Sequence, residues 1–142
     1  MAPTLVLLVT AERPFGSVGF ATARGFGRYR DGYMAWLLRN GEVLASVEVA
    51  SSLAARSRGL LGKKSFEGAL LLRHTRSVHT IGMRFAIDVA FLTDDLSVVA
   101  TTTLGRQRIA LPRRGGRSVL EAEAGAFARW QLAPGDQLEI KG

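Results

Sequence analysis

The dipeptide Asn40-Gly41, set between two runs of β-forming residues, constrains the fold of this chain more than any other feature. Residues 34–39 read MAWLLR, and residues 42–50 read EVLASVEVA. A two-residue type I′ turn needs positive φ at both central positions, which Asn and Gly adopt at the lowest cost. The sequence therefore predicts a β-hairpin and, with it, an antiparallel sheet.

Further runs rich in Val, Leu, Ile and Thr follow at short intervals. They predict strands over residues 69–73, 77–81, 85–93, 97–104, 118–124 and 137–140. Turn-forming pairs lie between them, including Asp94-Asp95, Gly115-Gly116 and Pro134-Gly135. Many short strands with turns about every 8–12 residues are typical of a mainly β protein. We expect a compact β-sandwich or barrel-like domain.

Helix is predicted at two places only. Ser51 or Ser52 can accept hydrogen bonds from the first N–H groups of a helix over residues 52–61, and Gly62 can end that helix in the left-handed conformation. The segment 126–130 predicts a single helical turn. Both are short, so the sheet supplies most of the core.

Composition excludes several classes of protein. The chain has no cysteine, which excludes disulfides and thiolate metal sites, and no apolar run approaches the roughly 18–20 residues of a membrane helix. The apolar run at 5–9 follows no basic residue, so we expect a protein that stays in the cytoplasm. The net charge of +7 admits an acidic partner, but arginine-rich chains also arise from GC-biased codon usage, and we do not expect nucleic acid as the main partner.

Residues 1–33 differ from the remainder of the chain. They combine Gly, Arg and aromatic residues with no period of 2 or 3.6. We interpret them as a disordered leader or as sequence read from an upstream start codon, with a single β-sandwich domain over residues 34–142. The alternative is a basic, aromatic arm that contacts nucleic acid.

Asp88 interrupts the otherwise apolar strand predicted at 85–93. Alternation places Ile87 and Val89 on one face of that strand and puts Asp88 beside Ala90 on the other. A carboxylate at such a position is costly unless it is paired, hydrogen-bonded or solvated. Two interpretations stay open: Asp88 is the anion of a shallow ligand site, or it accepts hydrogen bonds that hold a loop.

His79 is the second candidate for chemistry. Nine extended residues span roughly 30 Å, so His79 and Asp88 meet only if the chain bends, which Gly82 would permit. Together they could act as a general base and its orienting acid, whereas the structural alternative is a hydrogen-bonded packing histidine. His74 is expected to face water, and we predict neither a metal site nor another cofactor.

The densest basic cluster follows the strand predicted at 97–104. It consists of Arg106, Arg108, Arg113, Arg114 and Arg117. An anion-binding loop is the functional hypothesis, and a solvated loop is the structural one that we favour.

Three motifs in order resemble one known family. They are ARSRGLLGKKS at 55–65, VHTIGMRFAIDVAFLTDD at 78–95, and VLEAEAGAFARWQLAPGDQLEI at 119–140. Residues 34–140 resemble the bacterial and archaeal family called domain of unknown function 192. The resemblance implies a β-sandwich with one helix packed at its end.

The resemblance also implies positions of interest. The family's histidine, methionine and aspartate correspond to His79, Met83 and Asp88, and its helix arginine-glycine to Arg58-Gly59. Many members carry a bulky aromatic where this chain has Ile81-Gly82, so an aromatic wall is not expected here. Many members also carry an export signal. The family has no established reaction.

Three functions remain as hypotheses. The leading one is a non-enzymatic module that binds a small molecule or a protein at a patch formed by His79, Met83, Arg84 and Asp88. The second is a hydrolase or isomerase in which His79 and Asp88 are catalytic. The third is a nucleic-acid-associated protein that uses the arginines at 106–117.

Overall fold

A computed structural model describes residues 28–29, 32–50 and 67–142 of the chain. The helix predicted at 52–61 and the Arg58-Gly59 pair lie outside the described residues, as does most of the predicted leader. In the described part there are ten strands: β1 (Arg28–Tyr29), β2 (Gly32–Arg39), β3 (Glu42–Ala50), β4 (Ala69–Leu72), β5 (Val78–His79), β6 (Ile87–Leu92), β7 (Val98–Leu104), β8 (Ile109–Ala110), β9 (Ser118–Glu123) and β10 (Leu138–Lys141). One helix, α1 (Ala126–Trp130), confirms the predicted helical turn.

The β2–β3 hairpin forms as predicted. Asn40 and Gly41 have φ values of 51° and 79°, the left-handed conformation that a tight hairpin turn requires. Tyr33 pairs with Val49, and the ladder continues to Arg39 and Glu42, with one irregularity between Leu37 and Leu38. The local turn chemistry therefore sets the register of the first two long strands.

The main sheet has the order β1-β2-β3-β4-β9-β6-β7, and β10 pairs with β2. All neighbours are antiparallel except β3 and β4, which are parallel. A bridge between Ser97 and Gln137 joins the start of β7 to the start of β10. The sheet thus curls back toward itself, which confirms the mainly β, barrel-like class.

Both faces of this sheet are covered. Leu70, Val89 and Phe91 belong to one buried cluster, which Val78 of β5 and Ala110 of β8 also join. Leu71, Ala90 and Leu120 belong to a second cluster on the opposite face, together with Phe127 of α1. The alternation predicted for β6 is confirmed, because its odd and even residues divide between the two clusters.

The segment predicted as a strand over 77–81 is shorter in the structure. Only Val78 and His79 are extended, and they pair with the two-residue strand β8, which the pattern did not predict. Gly82 has a φ of 82° and provides the bend that ends the extended segment. No helix in the described residues is long and apolar enough to span a bilayer.

Candidate functional site

Asp88 is buried in the middle of the sheet and is fully engaged by the chain around it. Its Oδ1 accepts a hydrogen bond from the Thr103 hydroxyl at 2.8 Å. Its Oδ2 accepts the backbone N–H groups of Gly125 at 2.9 Å and Phe127 at 3.0 Å. These N–H groups belong to the first turn of α1, so the carboxylate fixes the start of that turn against β6 and β7. The contacts are those of the structural interpretation of Asp88.

Arg39 fixes the other end of α1. Its guanidinium donates to the carbonyls of Trp130 and Gln131 at 2.8 and 2.9 Å, and to Oδ2 of Asp136 at 2.9 Å. The Ala133 N–H also donates to Asp136, and that hydrogen bond, together with Arg39, lowers the pKa of Asp136 below its ordinary value. The short helix is therefore held at both ends by side chains from distant strands.

Between β7 and α1 lies an open groove of about 560 Å³. Its strand wall is formed by Thr101, Thr102 and Thr103, and Asp88 and Gly125 lie at its base. Its other wall is formed by α1 and the residues after it: Phe127, Ala128, Gln131, Leu132 and Ala133. The groove combines hydroxyl groups on one side with a largely apolar wall on the other.

His79 lies elsewhere and is also buried, with 5% of its surface exposed. Its Nδ1 accepts the N–H of Ile81 at 3.2 Å, which places the proton of the neutral ring on Nε2. That Nε2 is buried and has no hydrogen-bond partner among the residues described. Burial lowers the pKa of His79, since desolvation disfavours the charged imidazolium.

The buried His79 predicts an acid-sensitive stability. Its folded-state pKa lies below the value of about 6.5 in the unfolded chain, so the unfolded chain takes up a proton more readily. The stability that depends on neutral His79 is therefore fully present above about pH 6.5. It falls as the pH drops below that value, by at most about 1.4 kcal/mol per pH unit. Urea denaturation at intervals between pH 5 and 8 measures this slope.

A matched pair of variants isolates the contribution of His79. Asn at position 79 can still accept the Ile81 N–H but does not titrate, so H79N should lose this part of the acid-side slope. H74N is the control, because His74 is exposed and has a φ of 56°, which Asn tolerates. An unchanged slope in H79N would contradict the assignment.

The structure does not unite the four residues predicted to form one ligand patch. Met83 is buried with Val78 and Ile87 in the first cluster, while Arg84 is exposed. Asp88 alternates with Ile87 and Val89, and so points to the opposite face of the sheet. The hydrogen bonds of His79 and Asp88 go to other residues, and of the four predicted residues only Asp88 lines the groove.

The five arginines predicted to bind an anion are all exposed. Arg106 donates through Nε to the Met83 carbonyl at 3.2 Å, and the Arg113 guanidinium lies 5.9 Å from the centre of the Phe91 ring. Arg106 follows β7 next to the start of β6, whereas the N–H of Arg117 donates to Leu92 at the end of β6. The cluster is thus drawn out along the length of a strand rather than gathered at one point.

Glu121 is the titratable residue that the sequence analysis did not single out. It lies in β9 between Leu70 and Val89 and is completely buried. Neither carboxyl oxygen has a hydrogen-bond partner among the described residues, and burial raises its pKa well above the ordinary value. In the sequence, only the alternation of apolar and acidic residues in SVLEAEA points to Glu121. That pattern normally indicates that the acidic residues face solvent.

Fold and groove together define a small, mainly β protein with a curled sheet and, among the described residues, one short helix beside β7. The DUF192 family model, described as "Uncharacterized ACR", matches residues 35–140, and the chain belongs to this family. The matched residues include Asp88, α1 and every residue of the groove.

Two relatives and one solved structure illustrate the likeness. A UPF0127 protein of Pyrococcus furiosus is 33% identical over 103 residues, covering 69% of this chain and 89% of the relative. A UPF0127 protein of Pyrococcus horikoshii is 36% identical over 98 residues, covering 66% of this chain and 85% of the relative. The crystal structure of a protein of unknown function from Novosphingobium aromaticivorans has a TM-score of 0.64 at 19% identity, covering 84% of this chain and 94% of that one. The last comparison shows the shared fold.

Proposed function

We propose that this protein is a non-enzymatic binding module and that the groove between β7 and α1 is its binding site. The observation that carries the proposal is the way this groove is built. Asp88 and Arg39 hold α1 at its two ends, so the helical wall is fixed before anything binds. A fixed wall reduces the entropy lost when a ligand is taken up.

The lining of the groove also supports binding. Ligand sites are commonly concave, of about 300–1,000 Å³, and largely apolar with a few polar groups that set orientation. Here Phe127 and Leu132 supply apolar surface, and the hydroxyl of Thr101, which lies on the same face of β7 as that of Thr103, supplies a donor and an acceptor. The volume and the chemistry of the groove fall within that range.

The contacts of His79 and Asp88 disfavour the hydrolase or isomerase alternative. A general base must reach the proton that it removes, directly or through one water. His79 is buried, and Asp88 accepts three hydrogen bonds from Thr103, Gly125 and Phe127. The hydrogen bonds of the two residues go to other groups, so the pair lacks the geometry of a base and its orienting acid.

A groove-filling variant tests the proposal on the full chain. Ala128 is an exposed residue of α1 that lines the groove, so A128W should fill it without touching the core. A compound present at a free concentration of 100 times its Kd adds roughly 2.7 kcal/mol to the free energy of unfolding, which raises the Tm by several degrees. We expect at least one compound from a panel of sugars, nucleotides, peptides and metal ions to stabilise the parent but not A128W.

The control places the same bulk on another surface. Val43 is exposed in β3 and does not line the groove, so V43W should respond to the compound as the parent does. A panel that stabilises neither protein, or that stabilises the parent and A128W alike, would contradict the groove as the site. Stabilisation by short RNA alone, lost at high salt, would favour the arginine segment instead.

A further inference from the structure

β7 is an edge strand over most of its length. It pairs with β6 on one side, and among the residues that the structure describes only its first residues are engaged on the other side. Val98 donates its N–H to Asp136 and accepts the N–H of Gly135, and Ser97 bridges to Gln137. Beyond Val98 the chain at 131–133 diverges from β7, and the groove opens between them.

The pairing of β6 determines which groups of β7 face this groove. The N–H of Ala124 donates to the Ala86 carbonyl, so the main chain of Ala86 faces β9. By the alternation of an antiparallel ladder, Asp88 and Ala90 also direct their main-chain groups to β9. Their partners on β7 are Thr103 and Thr101, whose N–H and C=O groups therefore point away from β6 and toward the groove.

This arrangement identifies the chemistry of an occupant. Thr101 and Thr103, separated by one residue along the edge, together present two N–H donors and two C=O acceptors. The complement of this pattern is another extended main chain. The opposite wall is formed by α1 and the residues after it, and its apolar side chains Phe127 and Leu132 can accept alternate side chains of a strand. The acid at the base, Asp88, is already engaged by three donors, so the groove does not call for a charged ligand.

We infer that the groove binds an extended, uncharged peptide segment of a partner protein, which adds to β7 as a further strand. The inference rests on the proposed function and names the partner class of the same site. Main-chain bonds to Thr101 and Thr103 supply the recognition common to any such segment, and the contacts with Phe127 and Leu132 select apolar or β-branched side chains. Its length is limited, because the residues at 135–137 already occupy the edge beside Ser97 and Val98.

The test uses the full chain and an end-blocked, fluorescein-labelled heptapeptide of alternating Thr and Val. Anisotropy gives the affinity, and amide hydrogen exchange gives the location. Binding should slow exchange at Thr101 and Thr103. T101P removes an outward N–H without removing a bond of the β6–β7 ladder and should weaken binding about tenfold or more. T101V keeps the N–H and the shape, so its affinity should stay within about threefold of the parent.

The peptide provides its own control. The same heptapeptide N-methylated at every residue keeps its side chains but cannot donate from its main chain, and it should not bind. Equal binding by both peptides, or equal affinity of T101P and the parent, would overturn the inference. So would slow exchange at Thr101 without peptide in a monomeric chain, since another part of the chain would then cover the edge.

Two further outcomes separate this inference from the proposal beneath it. A dimer in sedimentation experiments that T101P converts to monomer would mean that a second copy covers the edge, and the partner-peptide inference would be wrong. A small molecule that stabilises the parent but not A128W, with no binding of the heptapeptide, would support the groove as a site and overturn its assignment to peptides.

Discussion

Replacement of Asp88 by Ala should lower the free energy of unfolding by about 2–4 kcal/mol. The change removes one acceptor that serves three donors, the Thr103 hydroxyl and the N–H groups of Gly125 and Phe127. The Phe127 N–H lies in a buried hydrogen bond and costs about 1–3 kcal/mol when left unpaired, whereas Thr103 and Gly125 are exposed and their donors can recover part of the loss from water. Urea denaturation at pH 7 measures the loss.

Asp88→Asn is the matched control for that prediction. Its Oδ1 can accept both backbone N–H groups, and its amide can donate to the Thr103 oxygen, so the loss should be about 1 kcal/mol. A D88N protein as unstable as D88A would mean that the negative charge, rather than the set of acceptors, is what the fold needs. Equal stability of D88A and the parent would contradict the structural role altogether.

Glu121→Leu should raise the free energy of unfolding by about 2 kcal/mol at pH 7. The carboxyl group is completely buried with no hydrogen-bond partner in the described part of the chain, and Leu replaces it with an apolar side chain of similar size. E121Q should not bring this gain, because an amide at the same position is also buried and polar. Thermal and urea denaturation of the two variants beside the parent measure the difference.

The same residue predicts a pH dependence with a definite sign. Burial raises the folded-state pKa of Glu121, so between the unfolded value of about 4.3 and the folded value the folded chain binds the extra proton. Stability from this group is complete below about pH 4.3 and declines as the pH rises toward the folded-state value, by at most about 1.4 kcal/mol per unit. E121L should lack this decline.

Two other groups bear on that profile. Glu48 is buried in the same row of the sheet, across Leu70 from Glu121, and it stays in place in the variant, so the difference between E121L and the parent isolates Glu121. Glu123 lies two positions along β9 and is only partly buried, so E123Q serves as a control that should keep the decline. A decline that persists in E121L would contradict the prediction.

His79 and Glu121 act in opposite directions over part of the pH range. Between about pH 4.3 and 6.5, acid removes stability through His79 and adds it through Glu121. The parent can therefore show a nearly flat profile there although two buried groups titrate. Profiles of H79N and E121L, each compared with the parent, should diverge in opposite senses in this window.

Local patterns predicted the parts of the fold that local physics determines. The Asn40-Gly41 turn, the alternation along β6 and the short helix at Ala126–Trp130 depend on neighbours in sequence, and each is confirmed. The pairing of β5 with β8 was not predicted, because each strand has two residues and the partners lie far apart in the chain. No periodicity can accumulate over so short an extended segment.

The candidate site was predicted only in its central residue. Asp88 was recognised because a carboxylate interrupts an apolar strand, and that signal lies within one segment. The groove joins Asp88 to Thr101 and Phe127, which three separate elements bring together. Glu121 was missed because alternation predicts one polar face, whereas this sheet is covered on both sides and buries the polar positions too.

The outward amides of Thr101 and Thr103 have a consequence for how the protein could change over generations. Recognition through main-chain groups does not depend on which strand-forming residue supplies them, so replacement of Thr101 by valine or isoleucine should preserve it. Insertion or deletion of a single residue in β7 is different, since it exchanges inward and outward amides and moves each side chain to the opposite face. At this edge, the number of residues in β7 matters more than their identity for keeping the proposed binding surface from one generation to the next.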